Sequence, residues 1–126
     1  MLSKLFITAM GMVLLMAARG ETQPVAMGIF ESRGDVGQVM HPGRVDFDPA
    51  GQTYTVTGGG ANMWGGVDAF HFVWKRLSGD AELTADIQWV GTGGNAHRKA
   101  CLILRPSLAA DAPHVSAVTH GDGLTC

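Results

Sequence analysis

The sequence predicts an all-β, antiparallel sandwich behind an N-terminal signal peptide, and three observations predict it. After Gly20 apolar and polar residues alternate with period two in several segments, the spacing of half-buried strands. The 18 glycines, set against only 5 prolines, cluster between those segments as tight turns joining strands require. Residues 1–20 break the pattern and read as a leader.

In that leader Lys4 supplies the positive end, residues 5–16 are almost unbroken apolar, and Ala18 and Gly20 put small side chains where a signal peptidase cuts. The mature chain then begins at Glu21. The apolar stretch is shorter than the roughly 20 residues that cross a hydrocarbon core, so cleavage is expected rather than a membrane anchor. No cysteine lies near the cut, which argues against a lipid anchor and leaves a secreted or periplasmic protein.

The strands follow in order. A weak one spans residues 26–30. Segments 44–47 and 53–57 flank Asp48-Pro49-Ala50-Gly51, with proline at the second and glycine at the fourth position of a type I turn, and read as a hairpin. In 69–75, Phe70, Phe72 and Trp74 face one way, with His71, Val73 and Lys75 opposite. Segment 82–90 alternates most cleanly, Leu83, Ala85, Ile87 and Trp89 against Glu82, Thr84, Asp86 and Gln88, and Leu77-Ser78-Gly79-Asp80 joins it to 69–75 as a second hairpin. Segment 99–104 is a strongly apolar strand, 105–113 a connection rich in Pro, Ala and Asp, and 114–119 a further strand closed by the turn Gly121-Asp122-Gly123. A new strand begins at Leu124.

With 126 residues there is room for one folded module, residues 21–126. Formal charge is -2 with no basic run, which excludes the electrostatic footprint of a nucleic-acid or anionic-membrane binder. The two cysteines, Cys101 within an apolar strand and Cys126 as last residue, fit a buried free thiol better than a disulfide scaffold.

An ordered set of segments carries a family resemblance: Asn62-Met63-Trp64-Gly65, Asp68-Ala69-Phe70-His71-Phe72-Val73-Trp74-Lys75, Gly79-Asp80, Leu83-Thr84-Ala85-Asp86-Ile87, Asn95-Ala96-His97-Arg98-Lys99-Ala100-Cys101-Leu102-Ile103-Leu104-Arg105 and His120-Gly121-Asp122-Gly123-Leu124-Thr125. Together they resemble the concanavalin A-like jelly rolls of the regulation-of-enolase type. The likeness is to the version that precedes a Tol-type β-propeller in secreted or periplasmic bacterial proteins, the biopolymer transporter Tol-like proteins. Cys101 departs from it, standing where the family carries glycine. The resemblance implies a jelly-roll sandwich but no defined activity. Such a sandwich needs two full sheets, and about seven candidate strands supply only part of them. The module is therefore expected to be a sandwich truncated at its C-terminus, with an open apolar face or unpaired edge near residues 114–126.

Glucanases share the jelly roll and cleave sugars with two strand-borne carboxylates about 5 to 9.5 Å apart. Glu82 and Asp86 share one face of segment 82–90, but four residues of strand separate them by roughly 13 Å. Asp46 and Asp48 are closer and sit at a turn, where aspartate has a local role. No catalytic residue is expected. His71, His97, His114 and His120 lack the spacing of a metal site, the glycine runs lack the residues of a phosphate loop, and no cofactor is expected. Arg33-Gly34-Asp35 reads as a chance adhesion tripeptide in a polar loop.

Trp64 stands out between Gly58-Gly59-Gly60 and Gly65-Gly66: a rigid aromatic there stacks on a sugar or enters a partner's pocket, or else plugs the end of the core. The loop before Lys99 adds a basic trio, His97, Arg98 and Lys99, which suits an anion or a solvated surface. The candidate ligand-binding residues are therefore Trp64, Asn62, Asn95, His97 and Arg98, with a glycan or an envelope protein as partner. A non-catalytic binding module is expected. The alternative is a glucanase- or lectin-like carbohydrate-active fragment lacking its catalytic carboxylates.

Overall fold

The computed structural model describes residues 27–92, 94–123 and 125–126. The leader at 1–20, its cut before Glu21, the Ala26 start of the weak first strand, and Leu124 lie outside them. Among the described residues the chain is all-β, with six strands and no helix. The strands are β1 (Ser32–Val36), β2 (Arg44–Asp48), β3 (Thr53–Thr57), β4 (Phe70–Trp74), β5 (Lys99–Leu104) and β6 (Val115–His120). They pair antiparallel in three two-stranded sheets, β1 with β4, β2 with β3 and β5 with β6.

The β2–β3 hairpin forms where its turn residues put it, from Arg44 opposite Thr57 to Asp48 opposite Thr53. Asp48 Oδ1 accepts the Ala50 amide at 2.9 Å, the local bond that favours aspartate in a turn. Across the ladder Phe47 stacks on Tyr54 with centroids 4.5 Å apart, and the Tyr54 hydroxyl accepts the Ile29 amide at 2.8 Å and donates to Met27 O at 3.1 Å. These bonds hold residues 27–30 as a turn, closed by Phe30 N on Met27 O, where a weak strand was expected.

The partner of β4 is a correction. It pairs with β1, in register from Ser32 opposite Trp74 to Val36 opposite Phe70, and not with segment 82–90. The Arg33-Gly34-Asp35 tripeptide is therefore in a strand and not in a polar loop. Opposed residues share a face, so Ser32 and Gly34 stand opposite Trp74 and Phe72, small against large along the aromatic row Phe70, Phe72, Trp74. Segment 82–90 joins no sheet, and the expected hairpin through residues 77–80 does not form. Glu82 and Asp86 consequently share no strand face. The whole segment is exposed, and Ala85 and Ile87 line an open groove of about 400 Å³ with Leu102, Ala117 and Val118.

Strands β5 and β6 run from Lys99 opposite His120 to Leu104 opposite Val115. The turn after β6 closes with Gly123 N on His120 O at 3.1 Å, and the chain folds back through a Thr119–Thr125 bridge and two Val118–Cys126 backbone bonds. The core is small and divided among the sheets: Val36, Val45, Met63, Ala112 and Val118 are its buried apolar residues.

Candidate functional site

Between β3 and β4 the chain makes a glycine-rich loop that closes on itself, the Ala69 amide donating to Asn62 O at 2.7 Å. Met63 turns inward, 5% exposed, and takes the thiol of Cys101 on its sulfur at 3.3 Å. Trp64 turns outward and is 50% exposed. The residue that plugs the core at this point is Met63; Trp64 stands at the mouth of an open cleft of about 380 Å³. Residues 63–66 and Asp68 form one side of that cleft and residues 110–114 the other.

Arg105 holds the second side in place. Its guanidinium donates through Nη2 to Ala109 O at 2.5 Å and reaches Ala112 O at 3.5 Å, with Phe70 beneath it at 5.3 Å. Asp68 joins the two sides, its amide donating to Ala110 O at 2.8 Å. At Gly37, φ +67°, the backbone passes so close to Asp68 O that no Cβ fits, which lets the end of β1 support the cleft floor. Asp68 is 3% exposed and is among the residues at the cleft. Its Oδ2 lies 3.3 Å from Arg105 Nη1 and 3.6 Å from His114 Nδ1, ion-pair range, yet accepts no hydrogen bond.

The five residues singled out in the sequence divide between two neighbouring places. Asn62 and Trp64 meet at Lys99, whose ammonium is 3.4 Å from Asn62 Oδ1 and 5.9 Å from the Trp64 ring centroid. The same ammonium donates to His97 O at 3.3 Å, which joins the tryptophan loop to the basic one. Asn95 organises that second loop, its Oδ1 accepting the His97 amide at 2.8 Å and its carbonyl the Arg98 amide at 3.0 Å. His97 lies 3.4 Å from Asp122 and Arg98 sits 4.7 Å over the Trp89 ring. The basic trio thus meets Asp122 through His97, the Trp89 ring through Arg98 and the Asn62 side chain through Lys99.

The cleft's polar floor was not foreseen. Asp68 belonged to a motif and Arg105 to a connection, and neither was read as a site residue. A charge directly after the apolar run of β5 is costly unless paired, and that cost was the available signal for a buried partner. Two further histidines are enclosed by the fold. His71, its side chain 4% exposed, lies with Nδ1 2.7 Å from Asp35 Oδ1, and the bonds to Asp35 from this ring and from the Gly43 amide hold that carboxyl below its ordinary range. His120 is buried with no hydrogen bond on either ring nitrogen. Cys101 is free, as expected, but half-buried rather than buried, and that burial pushes its thiol up to about 11.

Asp46 is exposed beside Arg44 at 3.8 Å, and neither it nor Asp48, Glu82 or Asp86 lines the cleft. No group of three or more metal-ligating side chains converges among the described residues, and no helix among them is long and apolar enough to cross a membrane. No protein-family model, curated protein or solved structure matches the chain.

Proposed function

We propose that this chain is a non-catalytic binding module of a secreted or periplasmic protein, and that it holds a glycan or an envelope protein at Trp64. The observation that carries the reading is the exposure of that ring, 50% open to solvent at the mouth of a cleft of about 380 Å³. A tryptophan used only for packing would be covered; one presented on a loop with Lys99 and His114 beside it offers a rigid contact face.

The order of motifs along the chain supports the finer part of the proposal, a concanavalin A-like jelly roll of the kind that precedes a Tol-type propeller. The leader at residues 1–20 supports export. A panel of bacterial polysaccharides and envelope proteins, scored both for retention of the full chain and for release of reducing ends, tests the function. Retention without new reducing ends, weakened by more than about 1 kcal/mol in Trp64→Ala, is the expected result. New reducing ends, or retention indifferent to that substitution, would overturn it.

A further inference from the structure

We infer that the free edge of β3 pairs antiparallel with β3 of a second copy of this chain, Thr55 meeting Thr55 on the two-fold axis. The surface lies apart from the Trp64 cleft and does not rest on that reading. Among the described residues β3 has one ladder partner, β2, and no backbone hydrogen bond joins its other side to anything else. Such an edge offers a row of unpaired amides and carbonyls to any strand that reaches it. The other strands are guarded. Strand β1 carries Arg33 and Asp35, β2 carries Arg44, Asp46 and Asp48, and β5 begins with Lys99. Every residue of β4 is partly covered, and the outer side of β6 is taken by Cys126, which exchanges two backbone bonds with Val118. In β3, by contrast, Thr53, Thr55, Val56 and Thr57 are all exposed, and the strand has no charge, no proline and an unbroken register with β2. Charge, proline and bulges are the means by which edges repel a partner, and β3 uses none of them.

The order of its residues says which partner fits. Strand β3 reads Thr-Tyr-Thr-Val-Thr, the same in both directions except for Tyr54 and Val56. Turned about Thr55 and laid against itself, it sets Thr53 opposite Thr57, Thr55 opposite Thr55, and Tyr54 opposite Val56 twice. One face then carries threonine pairs and the other carries aromatic and β-branched pairs, both favourable combinations across a ladder. A two-fold interface demands this self-complementarity, since residue i must meet j wherever j meets i. Packing agrees with it. Val45 is 2% exposed, whereas its ladder partner Val56 is 51% exposed, so the apolar row across β2 and β3 stops short at the edge. Tyr54 of the second copy would continue that row over Val56. The pairing also turns a two-stranded sheet, marginal by itself, into a four-stranded one. One short edge buries little area, so the dimer is a weak one that depends on concentration.

The test follows sedimentation of the full chain from about 10 µM to about 1 mM, together with amide exchange in β3 over the same range. The wild type is expected to pass from monomer to dimer, and β3 amides to exchange more slowly as the dimer fills. Thr55→Lys and Thr55→Asp should each raise the dissociation constant at least about tenfold, because each sets a charge opposite its own copy. An equimolar mixture of the two variants should associate at least as tightly as the wild type, since opposite charges then meet on the axis. If either variant does not fold, the concentration dependence of β3 exchange in the wild type carries the test. A chain that stays monomeric at about 1 mM, β3 exchange indifferent to concentration, a dimer indifferent to both substitutions, or no recovery in the mixture would overturn the inference.

Discussion

Asp35 is held ionised by its surroundings, first by the His71 ring nitrogen at 2.7 Å and then by the Gly43 amide at 3.1 Å. Its carboxyl titrates below the ordinary value of 3.8, so the stability it contributes is fully present above that value and is lost as pH falls through its lower folded value. Urea midpoints of the wild type and Asp35→Asn should therefore differ above about pH 4 and converge below it. A gap that stays constant with pH would count against this account. Cys101 shows the opposite effect, burial pushing its thiol up to about 11. At about pH 8 such a thiol holds roughly one-hundredth the thiolate of an ordinary cysteine and is a poor nucleophile. One equivalent of iodoacetamide should label the folded chain at the exposed Cys126, as read by peptide mass mapping, and equal labelling of Cys101 would show that β5 opens. The burial of Cys101 was legible because its neighbours in the strand are apolar. The environment of Asp35 was not, because its partner lies across a ladder to a strand remote in sequence.

The same division between local and remote information governs the elements. The β2–β3 hairpin was legible because its turn residues lie next to the strands they join, and Asp48 does locally what aspartate does in turns. Strand β1 was not, because Ser32, Arg33, Gly34 and Asp35 carry no apolar alternation; the smallness of Ser32 and Gly34 opposite Trp74 and Phe72 suits the pairing, and that is a property of two segments together. Segment 82–90 misled for the converse reason: period two in one segment does not say whether a ladder partner exists. In the candidate site Trp64 was visible as a lone aromatic among glycines, whereas Asp68, Arg105 and His114 meet only after β4 and β5 are placed. The hairpin also allows a measured test of how it anchors residues 27–30. Tyr54→Phe keeps the ring stack with Phe47 but removes the hydroxyl that serves Ile29 N and Met27 O. It should cost about 1 kcal/mol, or roughly 4–8 °C in Tm, with faster amide exchange at Ile29. An unchanged exchange rate there would mean that water replaces the hydroxyl without loss.

At the scale of the whole molecule, three two-stranded sheets have to stabilise one another, since an isolated hairpin is marginal in water. The buried apolar residues are few, and the large apolar residues of 82–90 are all exposed: Leu83 and Ile87 39%, Trp89 37% and Val90 87%. The groove between this segment and β5–β6 is lined mostly by apolar side chains, Ala85, Ile87, Leu102, Ala117 and Val118 among them. Denaturant sensitivity scales with the surface that unfolding exposes, so a molecule that covers little of its apolar surface should unfold over a broad range. The urea m-value is expected near the lower end of the usual range of about 1–3 kcal/mol/M, with dye binding to the native state that marks accessible apolar surface. Ile87→Lys places a charge on the groove without disturbing any ladder, because 82–90 belongs to none. It should lower native-state dye fluorescence and leave the β5–β6 amides as protected as before. An m-value near the upper end of that range, or loss of β6 protection in Ile87→Lys, would mean that 82–90 packs as an integral layer of the fold.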